Sequence, residues 1–175
     1  MKNAIDQNYS RRTVWIHWIS ALLIFIIIGA GINMEHSEPT LLKINLYSIH
    51  FTSGIIVLVL TLVRIFALFR DRRPTNLYPK GWHNGLLKFV HYGFYLTIVW
   101  MCLTGLFGLI YYQIYKAVFS RNPGLLPDLT ESGLHPLFMS HHIVAKIVFL
   151  LLFLHIAGTI IHIVRYRENV LRRIW

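Results

Sequence analysis

Histidines set inside long apolar stretches are the residues of this sequence with the most informative chemistry. The last apolar stretch, Phe138 to Tyr166, carries His141 and His155, which are 14 residues apart. That spacing is close to four turns, or roughly 21 Å, of α-helix. His162 follows about two turns later on nearly the same helix face. An imidazole in an apolar span is expensive to bury without a partner, so these residues indicate a functional site within the span.

The composition predicts a membrane protein. Hydrophobic residues make up 55% of the 175 residues and charged residues only 14%, whereas soluble domains carry roughly 25% charged residues. The net charge of +10 does not indicate nucleic-acid binding, because the basic residues flank apolar stretches instead of lining a polar face. The one cysteine, Cys102, lies in an apolar stretch, so neither a disulfide framework nor a thiolate metal cluster is expected.

Four apolar stretches are long enough to cross a bilayer, at residues 13–34, 44–69, 86–112 and 138–166. They predict an all-α fold, an integral membrane antiparallel four-helix bundle within a single domain of residues 1–175. Four spans put both termini on one side. Thirteen basic residues lie on that side and four on the other. This asymmetry predicts that both termini face the cytoplasm. The four basic residues of the outer side are Lys43, Lys116, Arg121 and Lys146.

The predicted orientation sorts four histidines into two pairs. His50 and His141, near the starts of the second and fourth spans, lie toward the outer face and are called the outer pair. His17 and His155 lie toward the cytoplasmic face and are called the inner pair. Because a haem iron takes one axial imidazole from each side, the pattern predicts two bis-histidine haems stacked through the bundle. Depth alone does not separate His155 from His162 as the inner ligand of the last helix.

Small residues beside these histidines favour haem, since a porphyrin lies flat against the helix next to its ligand. The residues one turn beyond the first three histidines are, in chain order, Ala21, Gly54 and Ala145, and His155 is followed there by Gly158 and Thr159. Small residues also serve helix packing in membranes, which is the alternative interpretation of this pattern. A zinc site is not indicated, because helical zinc pairs use histidines three or four residues apart with a carboxylate nearby.

The other polar residues in or near the spans each have two interpretations. His91 and His162 are candidates to contact a quinone near the inner face, although His91 would also fit a snorkelling side chain. Arg64 on the inner side and Lys146 on the outer side either bind haem propionates or snorkel to the lipid head groups. Three further histidines are expected to be solvated in loops: His36, His83 and His135.

Several motifs along residues 12–175 resemble those of the prokaryotic cytochrome b561 family. They are Ile16-His17-Trp18, Ile49-His50 with Gly54, Val63-Arg64, Val90-His91-Tyr92, and the 14-residue spacing of His141 and His155. The resemblance implies two haem b groups, one on His17 and His155 and one on His50 and His141, and so prefers His155 to His162. It also implies a location in the bacterial inner membrane and electron exchange between quinone and a periplasmic donor or acceptor. Some members of the family oxidise superoxide. The outer loops hold four basic and four acidic residues, so steering of such an anion is not evident.

Two other classes of function remain open on the sequence. One is a haem b membrane-anchor subunit of a larger oxidoreductase such as a hydrogenase. The other is a haem-free transporter or proton relay built on the intramembrane histidines. Hydrolase and nucleotide chemistry have no support, because the sequence contains no Ser-His-Asp order, no Walker loop and no paired carboxylates within a span.

Overall fold

Four long α-helices dominate the structure, a computed structural model that describes residues 9–70, 81–129 and 133–167 together with Leu171 and Ile174. Each of the four is long and apolar enough to cross a membrane, which confirms the predicted four-helix membrane bundle. A short helix and a 3₁₀ turn at Pro123–Leu125 lie between the third and the last long helix. The α-helices in chain order are α1 (Arg11–His36), α2 (Leu41–Arg70), α3 (Trp82–Tyr111), α4 (Ile114–Ser120) and α5 (Pro136–Tyr166).

Polar caps extend the long helices beyond the predicted apolar spans. The Ser10 hydroxyl accepts a hydrogen bond from the Thr13 backbone N–H at 3.3 Å and so caps the start of α1. His135 caps α5 by accepting from the Leu137 N–H at 3.2 Å, and Pro136 occupies the first helical position, where no N–H is needed. Because such caps are polar, a search for apolar runs places the helix start up to four residues too late.

The four long helices pack as two pairs. α1 runs closely along α2, and α3 runs closely along α5. The pairs are joined mainly by contacts between α2 and α3, while the backbones of α1 and α5 stay apart. Most apolar side chains on the long helices remain exposed, as expected for surfaces that face lipid. The gap between the two helix pairs is the space into which the histidines of the inner and outer pairs project.

The connection between α3 and α5 contains the short helix α4, which packs against the bundle. Ile114 and Ala117 of α4 are fully buried, against α2 and α3. The loop prediction was wrong for two histidines, since His36 is the last residue of α1 and His83 lies in the first turn of α3. His135 does precede α5, but it is half-buried and its ring lies 5.0 Å from that of Phe107.

Candidate functional site

The two outer imidazoles come from opposite halves of the bundle. His50 on α2 and His141 on α5 face each other with their ring centroids 6.2 Å apart and their planes inclined by 57°. A hydrogen bond at Nδ1 holds each ring in place. Nδ1 of His50 lies 3.1 Å from the Ile27 carbonyl oxygen, and Nδ1 of His141 lies 3.1 Å from the Thr104 hydroxyl.

These hydrogen bonds fix which nitrogen of each outer imidazole carries the proton. A carbonyl can only accept, so His50 donates from Nδ1 to Ile27. The Thr104 hydroxyl donates its own hydrogen to the Trp100 carbonyl at 2.8 Å, one turn back in α3. Its oxygen is therefore the acceptor toward His141, whose Nδ1 carries a proton. Both outer imidazoles are thus left with a lone pair on Nε2, the form in which a neutral histidine binds a metal.

Two glycines of neighbouring helices let the outer imidazoles approach the backbone. A Cβ atom at Gly31 of α1 would lie 3.3 Å from Cε1 of His50. One at Gly105 of α3 would lie 3.1 Å from Cε1 of His141. Both distances are shorter than the ordinary carbon–carbon contact of about 3.5–4.0 Å. The sequence alone did not single out either glycine, because the signal is a contact between helices.

An apolar cavity opens between the outer imidazoles. It measures about 920 Å³ when its open side is included. Gly54 and Ala145, two of the small residues noted in the sequence, line it along with the outer pair and Cys102. A Cβ atom at Gly54 would meet no other atom within 4 Å, so the helix surface beside His50 is free to take a flat group. No residue that lines the cavity is charged.

The inner pair has nearly the same geometry. His17 on α1 and His155 on α5 face each other with ring centroids 6.1 Å apart and planes inclined by 55°. The ring of His91 on α3 approaches His155 edge-on at 5.2 Å, and that of Phe94 does so at 5.7 Å. His162 lies two turns beyond His155 on α5 and is only 5% exposed. The structure therefore opposes His155 to His17 and adds His91 as a third imidazole at this end.

A guanidinium lies against the inner pair. Nη1 of Arg64 is 3.4 Å from Nδ1 of His17, and its charge acts on His91 and His155 as well. Nε of Arg64 is buried and has no hydrogen-bond partner among the described residues. If His17 binds a metal through Nε2, its Nδ1 carries a proton and cannot accept from Arg64. The guanidinium then requires another acceptor, for which a carboxylate is the best match.

Lys146 is placed differently from Arg64. It is exposed on α5 and does not line the outer cavity. Its long side chain is free to extend along the helix toward the membrane surface.

Comparison with known proteins identifies the family. The family model described as "Prokaryotic cytochrome b561" matches residues 8–175. The chain belongs to this family. It is also similar to a protein of Yersinia pestis named "Probable superoxide oxidase CybB", with 26% identity over 182 aligned positions that cover 97% of this chain and 96% of that protein. Membership of this family of membrane cytochromes implies that the chain binds haem b.

The geometry of both histidine pairs fits haem. Two metal–nitrogen bonds of about 2 Å, with roughly 1.2 Å from each nitrogen to its ring centre, separate two axial imidazole centroids by about 6.4 Å. The observed separations are 6.1 and 6.2 Å. A bare metal ion would need more protein ligands than two, and the described residues hold no cluster of three or more His, Cys, Asp or Glu that could bind one. The porphyrin supplies the remaining nitrogens of a haem iron, so two imidazoles suffice.

Proposed function

We propose that this protein is a dihaem membrane cytochrome that moves electrons between the quinone pool and a donor or acceptor at the outer face. The observation that supports this most directly is the presence of two facing imidazole pairs with almost identical spacing, 6.1 and 6.2 Å. One pair would make a haem protein. His141 and His155 lie roughly 21 Å apart along α5. Two pairs at this separation would make a path for electrons along the bundle.

The axial ligands in this proposal are His17 and His155 for one haem and His50 and His141 for the other. A haem held by each pair would supply one-electron redox chemistry, and two imidazole ligands would leave no position on the iron for a substrate. Arg64 binds a propionate of the inner haem, which gives its unpartnered Nε an acceptor. Lys146 snorkels to the head groups, since it is exposed and outside the cavity.

The proposed location is the bacterial inner membrane, with both termini in the cytoplasm. The four membrane-spanning helices support a multi-pass arrangement. The excess of thirteen basic residues over four at the end of the bundle that carries the termini supports the orientation. The inner pair then lies toward the cytoplasm and the outer pair toward the periplasm.

Quinone is proposed to bind at the inner end, near His91 and His162. His91 donates from Nδ1 to the Leu87 carbonyl at 2.7 Å, which leaves a lone pair on Nε2 to accept from a quinol hydroxyl. Its ring lies 5.2 Å from that of His155, so a quinone held there would be close to the inner haem. Substituting either His91 or His162 and finding unchanged quinone reduction with both haems in place would contradict this placement.

Superoxide oxidation is a more specific version of the proposal, favoured by the name of the Yersinia pestis relative. In that reaction two superoxide anions each lose one electron to give two O₂, and one quinone takes two electrons and two protons to give quinol. Among the described residues, three cations near the outer end hydrogen-bond to neutral oxygens and not to carboxylates, which supports a local attraction for an anion although the outer loops hold equal numbers of basic and acidic residues. They are Lys43 with the Ser37 carbonyl, Lys116 with Gln113 and Arg121 with Asn45.

Quinone reduction by the purified protein in lipid vesicles tests both versions. We expect quinol to form when a reductant is added and to form faster with a superoxide-generating system than without it. His155→Ala should abolish both activities, whereas His142→Ala, at an exposed position beside the outer pair, should retain them. Quinol formation that superoxide does not accelerate would contradict the superoxide version alone. A haem-loaded protein that exchanges no electrons with quinone would contradict the general proposal.

A further inference from the structure

The two imidazole pairs differ in the hydrogen bonds that their Nδ1 atoms form. Both outer imidazoles donate from Nδ1 to a neutral acceptor, His50 to the Ile27 carbonyl and His141 to the Thr104 hydroxyl, each at 3.1 Å. In the part of the chain that the structure describes, neither His17 nor His155 has such an acceptor within hydrogen-bond distance. A hydrogen bond of this kind makes an imidazole a stronger electron donor to its metal, which favours the oxidised iron.

The charged groups around the two pairs also favour a higher reduction potential at the inner pair. Arg64 lies against the inner pair, with Nη1 3.4 Å from His17, and its charge reaches His155 and His91. The outer cavity is lined by no charged side chain. A fixed positive charge beside a haem disfavours the more positive, oxidised iron and raises its reduction potential. A propionate bound by Arg64 would cancel part of this positive charge. Without Arg64, the negative charge of that propionate would act on the haem with no cation beside it, so Arg64 still raises the reduction potential.

We infer that the inner pair would hold haem at a higher reduction potential than the outer pair, because Thr104 and Arg64 shift the two potentials in opposite directions. This inference rests on the proposed dihaem function. Thr104 and Arg64 act as positioning and tuning residues: Thr104 lowers the potential at the outer pair, and Arg64 raises it at the inner pair.

A potentiometric titration of the purified haem-loaded protein, followed in the visible absorption bands, tests the inference. Two reduction steps are expected in the wild type. Arg64→Gln should lower only the high-potential step, by about tenfold in its equilibrium constant or about 59 mV for one electron. Arg64→Lys, which keeps the charge, should shift that step less. Thr104→Val should raise only the low-potential step, because His141 loses the hydroxyl that accepts from its Nδ1 at 3.1 Å.

Thr97→Val is the matched control for Thr104→Val. Thr97 lies two turns earlier on α3 and, like Thr104, donates to the carbonyl one turn back, at 2.8 Å to Gly93. In the described part of the chain Thr97 forms no hydrogen bond with either pair, so neither step should move. His141→Ala, which removes the outer ligand, should leave the step that responds to Arg64.

Three results would overturn the inference. The first is a low-potential step that responds to Arg64→Gln, and the second is a Thr104→Val variant with the titration of the wild type. The third is a His141→Ala variant that retains the lower of the two steps. If Arg64→Gln fails to keep its inner haem, the Thr104→Val comparison still decides. A wild type without haem would overturn the proposed function and the inference together, whereas two haems in the reverse order overturn the inference alone.

Discussion

Gly105 offers a test of the outer site in which a steric effect opposes a helix-propensity effect. It faces His141 from α3, and a Cβ atom there would lie 3.1 Å from Cε1 and 3.5 Å from Nδ1 of the imidazole. The shorter distance falls roughly 0.5 Å below ordinary contact. His141 is held on its other sides, by its hydrogen bond to Thr104 and by the stacked ring of Phe138. Gly105→Ala must therefore displace the ring relative to His50.

The expected magnitude follows from the cost of overpacking. An inserted methyl group in a packed interior costs about 1–3 kcal/mol. If that cost falls on ligation, haem binding at the outer pair weakens by roughly 5- to 150-fold, because 1.4 kcal/mol corresponds to about a factor of ten. Replacing a helical glycine by alanine otherwise favours the helix by about 1 kcal/mol. The variant should thus lose outer haem without losing helix.

Haem quantitation with circular dichroism on the same samples measures both effects. Gly29→Ala is the control, since it adds a methyl group to a helical glycine with no atom within 4 Å. It should keep two haems per chain and gain slightly in thermal stability. Gly105→Val should lose more outer haem than Gly105→Ala. Two haems with an unchanged spectrum in both Gly105 variants would refute the close approach on which this reasoning depends.

Three further outcomes follow from contacts outside the ligand set. Cys102, which lines the outer cavity, should react faster with a thiol reagent in haem-depleted than in haem-loaded protein; equal rates would place the haem elsewhere. Trp100→Phe removes the 3.0 Å hydrogen bond to Ser140 that joins α3 to α5, and should cost about 1 kcal/mol of unfolding free energy in a denaturant titration. Gly108→Ala should cost more than that, because a Cβ atom there would overlap the Phe138 ring, and a variant as stable as the wild type would contradict this packing.

The parts of the fold that the sequence predicted follow from its simplest patterns. Long apolar runs predicted the four spans. The distribution of basic residues, together with the helical rise per residue, predicted how deep each histidine lies in the membrane. Depth was sufficient to match His50 with His141, but it left His155 and His162 as alternative partners of His17. The structure places the rings of His17 and His155, like those of His50 and His141, with their centroids no more than 6.2 Å apart. Apolar runs could not predict α4, which is only seven residues long.

The groups that surround the imidazoles could not be predicted in the same way. Gly31, Gly105 and Thr104 act through contacts between helices, and nothing in their local sequence distinguishes them from glycines and threonines that serve packing. Arg64 was recognised as a candidate from its position in a span. Its buried, unpartnered Nε became visible only once the packing around it was known. The predicted role of Lys146 at a propionate stays a prediction, and its exposed position favours snorkelling.

The number of haem groups per chain tests the central claim most directly. Quantitation by absorption should give two haems b in the wild type, one in His141→Ala and one in His155→Ala. The neighbouring histidines supply the controls, and His142→Ala and His162→Ala should each retain two. One haem or none in the wild type, or two in either ligand variant, would contradict the account of two bis-histidine sites.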